Sequence, residues 1–270
     1  MKLKSKVLII AGSDSSGGAG IQADIKTVTS LGSYAMTAIT AVTAQNTKSV
    51  KAIISISPKN VQKQITMILD DIGTNAIKIG MLHNTKIIKC VCNILKKYKL
   101  KNVVLDPVMI AKGGAQLINS NSITYLKKNL LPLCSVITPN IPEAEILTGH
   151  SILSKEDMIK AAKEIISMGA KNVLLKGGHL KNKMIFDILV SRNVIKVFPK
   201  RKIKTKNTHG TGCTLSSALA TFLSQKKNIY KSCKFSLKYV DQAIYSAPGF
   251  GNGYGPLNHL VSFNLKNNNA

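Results

Sequence analysis

Short apolar runs alternate with helix-period patterns almost from end to end, and that alternation limits the fold more than any other feature. Residues 7–11, Val-Leu-Ile-Ile-Ala, read as a short buried strand. Ile21, Ile25, Val28 and Leu31 then recur on one helical face. Ser57-Pro58 gives an N-cap and a proline at the first helical position, ahead of the apolar face Val61, Ile65, Ile68 and Leu69. Residues 76–81 and 102–105 read as further strands. Ser154 caps a helix that runs to Met168, where Gly169 stops it. A strand follows at 173–176. Residues 184–190 and 194–198 form an antiparallel ribbon about the turn Ser191-Arg192-Asn193. Helices at 211–225 and 228–246 follow, and the polar end at 266–270 is expected to fray. Such a chain is α/β: a three-layer α/β/α sandwich on a mostly parallel central sheet. With 270 residues, 44% hydrophobic, no internal repeat and no linker, it is expected to be one domain, 1–270.

The remaining bulk features exclude several classes. No run of about 18 apolar residues occurs, so no membrane span is expected. The basic start resembles a secretory leader, but its apolar run is too short and passes into a Gly/Ser loop, which places the protein in the cytoplasm. Cys90, Cys92, Cys134, Cys213 and Cys233 are odd in number and lack a C-x-x-C pair, which argues against disulfides and zinc. Lys plus Arg is 38 against 12 Asp plus Glu, a net charge of +26. That balance suits a nucleic-acid binder. Yet the lysines are spread along the whole chain, aromatics are 5%, and Trp is absent. Stacking platforms are therefore scarce, and a compositional bias toward Lys explains the charge better.

Parallel sheets bind ligands beyond the carboxyl ends of their strands, so the loops there carry the chemistry. The first, Gly12-Ser-Asp-Ser-Ser-Gly-Gly-Ala-Gly20, has four glycines that permit close backbone approach to a ligand. It is neither a P-loop nor a dinucleotide fingerprint, which favours a small-substrate pocket over a nucleotide-phosphate role, with a plain tight turn as the alternative. The second, Asn207-Thr-His-Gly-Thr-Gly-Cys213-Thr214, opens a helix whose first N–H groups and dipole favour an anion. A transferring phosphoryl group is such an anion. Cys213 sits where the helix start should lower a thiol pKa, so it can act as base toward a hydroxyl. Asp106 and the pair Asn140/Glu143 follow strands, where carboxylates suit Mg²⁺ held through water. Lys176 adds a cation at the same edge.

These segments resemble the hydroxymethylpyrimidine/phosphomethylpyrimidine kinases of thiamine biosynthesis, in the ribokinase-like superfamily. The matching pieces are residues 11–24 (Ala-Gly-Ser-Asp-Ser-Ser-Gly-Gly-Ala-Gly-Ile-Gln-Ala-Asp), Ala44-Gln-Asn-Thr47, Lys78-Ile-Gly-Met81, Val104-Leu-Asp-Pro-Val-Met109, Thr138-Pro-Asn-Ile-Pro-Glu143, Lys176-Gly-Gly-His179, Lys206-Asn-Thr-His-Gly-Thr-Gly-Cys213 and Gly251-Asn-Gly-Tyr-Gly-Pro256. The resemblance implies a kinase that uses ATP and Mg²⁺ on a small aminopyrimidine, first on its hydroxymethyl group and then on the monophosphate. It implies that Gln45 bonds the ring and that Asp24 holds the substrate, with Ala19, Met81 and Val108 packing the ring. Gly210, Thr211 and Gly212 form the anion hole. Cys213 takes the place of the Asp base of most ribokinase-like enzymes. Asn140 and Glu143 go with Mg²⁺ and phosphate, Glu143 through water. Asp106 and Lys176 line the nucleotide side. The family loop commonly has Pro where this chain has Ser15, which should loosen that turn. Pyridoxal kinases on the same scaffold also carry the Cys, so a pyridoxal or pyridoxine kinase is the alternative. A basic nucleic-acid-binding protein with an inactive kinase fold is a more distant one. Self-association into a homodimer stays open.

Overall fold

The computed structural model describes residues 3–110, 117–180 and 184–261; the end at 266–270 lies outside them. Strand β1 (Lys6–Asp14) leads through helix α1 (Gly20–Ser30) to β2 (Tyr34–Gln45), its parallel neighbour. Strand β3 (Val50–Ser55) turns back on β2 as an antiparallel edge. Helix α2 (Pro58–Asp71) then carries the chain to β4 (Ala76–Ile79), on the other side of β1. Helix α3 (Thr85–Lys97), β5 (Val103–Leu105), α4 (Ser120–Tyr125), β6 (Val136–Ile137), α5 (Ile141–Thr148), α6 (Lys155–Ser167) and β7 (Asn172–Leu175) extend the parallel part. The ribbon of β8 (Met184–Ser191) and β9 (Val194–Arg201) closes the sheet antiparallel, and α7 (Thr211–Ser224) and α8 (Ile229–Tyr245) follow. The nine strands lie in the order β3-β2-β1-β4-β5-β6-β7-β8-β9.

The two-residue period of the strands sorts side chains into two cores. Leu8, Ile10, Ile77, Ile79, Val103 and Leu105 pack with Val61 and Ile65 of α2, Ile87 and Val91 of α3, and Ala161 and Ile165 of α6. Val7, Ile9, Val104, Val136 and Leu174 face the other way, onto Ile21 and Val28 of α1, Leu215 and Leu219 of α7, and Leu237 and Val240 of α8. Each fully buried aliphatic side chain is worth about 1.5–3 kcal/mol. Both faces of the parallel strands are therefore covered, as their apolar runs require.

Several local expectations hold. Ser57 accepts the Asn60 N–H ahead of Pro58. Ser154 and Asp157 form a reciprocal capping box, and Gly169 is left-handed at φ +113°. Two readings change. Ile25, expected on the buried face of α1, is 39% exposed; Ala23, Asp24 and Thr27 fill that face instead. The strands β2 and β3 had no counterpart in the sequence reading. Their Thr, Ala and Ser content gives a weak apolar signal, and β3 is an edge with little buried surface.

Helix α1 carries the chain from β1 to β2 on one side, while α3 carries it from β4 to β5 on the other and packs on the opposite face, so the carboxyl ends of β1 and β4 flank a topological switch point. The Gly12–Gly20 loop emerges there.

Candidate active site

The first loop is shaped by a carboxylate that sequence reasoning passed over. Asp14, the last residue of β1, accepts hydrogen bonds from the Ser16 N–H (2.9 Å), Ser16 Oγ (2.8 Å) and the Ala19 N–H (2.8 Å). Its Oδ2 lies 2.8 Å from His209 Nε2. A carboxylate only accepts, so that ring nitrogen carries the proton. Burial alone would raise the Asp14 pKa; the bonds from His209 and Ser16 outweigh it and hold the carboxyl down to about 2. His209 is 4% exposed. The pair locks the loop after β1 to the turn before α7. A lone His inside a glycine-rich segment gave no sign of this, although both partners stand in motifs that carry the resemblance.

Gln45 is brought to the same place. Its Nε2 is 3.4 Å from His209 Nε2, and its Oε1 is 3.2 Å from Thr43 Oγ1. Ser15 does not loosen its turn. Its Oγ accepts the Gln45 N–H and donates to the Gln45 carbonyl, both at 2.9 Å. The hydroxyl thus ties the first loop to the end of β2, as a proline could not.

The turn into α7 is fixed by Gly210, at φ +78° and ψ 7°. A Cβ there would stand 1.8 Å from the Gly18 carbonyl oxygen, so the two glycine loops touch backbone to backbone. The Thr211 N–H bonds Thr208 O at 3.3 Å, and the Thr214 N–H closes on Gly210 O at 2.8 Å. Of the expected anion hole, Thr211 thus has its N–H taken; among the described residues the N–H of Gly210, the N-cap, and those of Gly212 and Cys213 in the helix have no backbone acceptor. The latter two lie in the first turn of α7, where the helix dipole adds partial positive charge.

Cys213 itself departs from expectation. Burial pushes its thiol up to about 12, against the pull of Lys78 and of the Gly20 N–H and with Asp24 and Asp106 adding to the rise. Loss of solvent outweighs the helix start. Asp24 departs further. It is fully buried, with one oxygen 2.7 Å from Lys78 Nζ and the other accepting from Ser217 Oγ at 2.7 Å. Both oxygens are taken and neither meets solvent, so Asp24 does not hold a substrate directly. A fully buried carboxylate needs such partners.

The acidic edge assembles as expected. Asp106, just beyond β5, accepts from Lys176 Nζ at 3.1 Å, and Glu143 Oε2 lies 3.9 Å from the same nitrogen. Asn140 and Glu143 form a capping box at α5: the Asn140 side chain accepts the Glu143 N–H, and Glu143 Oε2 accepts the Asn140 N–H. Burial chiefly, with the Asp106 charge, lifts the Glu143 pKa to about 7 despite Lys176. A Cβ placed on Gly212 would lie 3.2 Å from both Asp106 Oδ2 and Lys176 Nζ. The acidic edge and the open amides of α7 are therefore in contact.

On the other flank, Met81 and Val108 share a small apolar cluster with Ala41, Leu117 and Ile53. Ala19 stands as the N-cap of α1. The glycine-rich tail stitches the parts together. Tyr254 N–H bonds Thr47 O at 2.9 Å, and His209 N–H bonds Gly255 O at 3.0 Å. A Cβ on Gly253 would be 2.1 Å from Thr47 O, which explains a glycine there.

The whole chain has relatives among known proteins. A thiamine biosynthesis bifunctional protein of Geobacter sulfurreducens is 46% identical over 96% of the chain and 53% of its own length, so the chain spans about half of it. A hydroxymethylpyrimidine/phosphomethylpyrimidine kinase of Bacillus subtilis is 43% identical over 95% of each chain. A pyridoxal kinase of Bacillus subtilis, solved as an ADP complex, superposes with a TM-score of 0.87 at 36% identity, over 94% of this chain and 97% of that one. The family model described as phosphomethylpyrimidine kinase matches residues 14–258, and the chain belongs to that family.

Proposed function

We propose that this chain is an ATP-dependent kinase, built as one domain, that phosphorylates 4-amino-5-hydroxymethyl-2-methylpyrimidine and then converts the monophosphate to the diphosphate for thiamine biosynthesis. The observation that carries this reading is the turn at 210–213. It meets the Asp106/Lys176/Glu143 edge through Gly212 and the Gln45 side through His209.

The residues divide the work. The Gln45 amide has both a donor and an acceptor, which matches the amine and ring nitrogen of an aminopyrimidine. Ala19, Met81 and Val108 enclose the ring. The Gly212 and Cys213 amides receive the phosphoryl group, whose charge grows over its oxygens during transfer. Lys176 adds a cation beside it. The donor set fits Mg²⁺: Glu143 is a hard oxygen donor whose crowding by burial and by Asp106 a cation would relieve. When bound, the ion would neutralise nucleotide phosphate charge, and Glu143 would hold it through water. Cys213 assists removal of the hydroxymethyl proton. The second transfer needs no such base, because a phosphate oxygen is already ionised near neutral pH.

An ADP-release assay with hydroxymethylpyrimidine, its monophosphate and pyridoxal tests the reading. Turnover of both pyrimidines with higher kcat/KM than pyridoxal supports it. A preference for pyridoxal favours the pyridoxal kinase alternative, which the ADP-bound pyridoxal kinase neighbour keeps in view.

A further inference from the structure

The side-chain amide of Gln45 meets two neighbours that fix its polarity. His209 Nε2 carries a proton, because Asp14 Oδ2 stands 2.8 Å away and a carboxylate only accepts. With Gln45 Nε2 turned to His209, a second donor lies 3.4 Å from that nitrogen. Ser16 Oγ, 3.5 Å from the same nitrogen, gives its own proton to Asp14. At the other end, Gln45 Oε1 lies 3.2 Å from Thr43 Oγ1. Thr43 has one hydroxyl proton, and the Ser13 carbonyl at 2.9 Å is its nearer acceptor. Donor therefore meets donor on one side of the amide, and acceptor meets acceptor on the other.

Half a turn about the last side-chain bond exchanges oxygen for nitrogen and leaves the shape of the amide almost unchanged. Oε1 then faces the His209 N–H, and Nε2 faces the lone pairs of Thr43 Oγ1. Both mismatches become attractions. The clamp is well packed: Thr43 is 5% exposed and His209 is 4% exposed. Ser15 holds both backbone groups of Gln45, while Gln45 itself is only half-buried.

We propose that Thr43 and His209 are positioning residues that hold the Gln45 amide with Oε1 toward His209 and Nε2 toward Thr43, and so make the site select an aminopyrimidine against the corresponding oxopyrimidine. A freely turning glutamine amide makes no such choice, because rotation exchanges its donor and its acceptor. Clamped, it keeps one acceptor lone pair and one N–H in a fixed order for a ligand. An aminopyrimidine offers the complement: an amine that donates, beside a ring nitrogen that accepts. In the oxo analogue the carbonyl accepts and the adjacent ring N–H donates, so like faces like at both contacts. The selectivity comes from that repulsion as much as from the favourable pairing. This inference rests on the reading of Gln45 as the ring contact; Thr43 and His209 act through it and do not themselves need to touch the substrate.

Nuclear Overhauser contacts in the ligand-free protein test the orientation without any substrate. The Gln45 amide protons should contact the Thr43 side chain and not the His209 ring protons, and the imidazole nitrogen shifts should place a proton on Nε2. Contacts to the His209 ring, contacts to both neighbours, or an Nε2 without a proton overturn the proposal. The consequence is read from kcat/KM for hydroxymethylpyrimidine and for its oxo analogue. The parent should prefer the amine by on the order of 10²-fold or more. Thr43→Val keeps the shape and removes the hydroxyl, so the preference should fall by about tenfold or more, and Thr43→Ser should retain it. A preference in Thr43→Val equal to the parent's overturns the proposal. Should Thr43→Val fail to fold, the Overhauser contacts in the parent still decide the orientation. They decide it also if neither pyrimidine is turned over, a result that removes the functional reading instead.

Discussion

Replacing Gly210 by alanine tests the contact on which the proposed site is built. Alanine would have to hold φ +78°, a left-handed conformation that costs an L-residue about 1–2 kcal/mol. Its Cβ would also fall 1.8 Å from Gly18 O and 2.9 Å from the Gly18 carbonyl carbon. Both are backbone atoms, so no side-chain rotation relieves the overlap. Forced displacement of this kind costs about 1–3 kcal/mol. The sum is about 2–5 kcal/mol, which for a chain of this size lowers Tm by roughly 5–15 °C. The cheapest relaxation separates the 12–20 loop from the α7 turn and moves the open amides. Misplacement by about 1 Å lowers kcat on the order of 10²-fold. Thermal unfolding and ADP release, run beside Gly178→Ala, measure both. Nothing lies within 4 Å of a Cβ on Gly178 and no positive φ is found there, so that control keeps the parent's Tm and rate. A Gly210→Ala protein matching the parent within about 2 °C and twofold in kcat would refute the backbone contact.

Other outcomes follow from the same geometry. Cys213→Ala should lower kcat on hydroxymethylpyrimidine by about 10²–10⁴ and leave kcat on the monophosphate near the parent's, since that nucleophile has no proton to lose; equal losses on both would remove the base assignment. Gln45→Leu should weaken pyrimidine binding in calorimetry and spare ATP. Lys176→Met should raise the nucleotide KM about tenfold or more, the scale of a lost charged hydrogen bond, without changing pyrimidine affinity. For Asp14 the folded pKa, about 2, lies below the unfolded 3.8. Its stabilisation is present above the unfolded value and fades as pH falls through the folded one. Asp14→Asn should therefore cost about 2 kcal/mol at neutral pH, and its Tm gap from the parent should close between about pH 4 and about pH 2.

The sandwich was legible because its signals are local. Val7 to Ala11, the Ser57-Pro58 and Ser154 caps, and the Gly169 stop each fix an element from within a few residues. The site was legible as a set of loops at one sheet edge, and Asp106, Glu143 and Lys176 do converge there. What escaped depends on burial and long-range pairing. Asp24 carries no mark that separates a carboxylate facing a substrate from one facing Lys78, 54 positions away. The Cys213 thiol looked acidic from its helix position alone, because desolvation cannot be read from neighbours in sequence. The bond from His209 to Asp14 spans 195 positions, and strand β2 hid behind a Thr/Ala pattern. Ser15 looked like a loosened turn until its hydroxyl was found on both backbone groups of Gln45.

The most direct measurement is a crystal structure with hydroxymethylpyrimidine and a non-hydrolysable ATP analogue bound together. The terminal phosphate should accept from the Gly212 and Cys213 amides while the ring's amine and nitrogen meet the Gln45 amide, with the hydroxymethyl oxygen facing that phosphate. A terminal phosphate bound away from those amides, or a ring seated out of reach of Gln45, would contradict it.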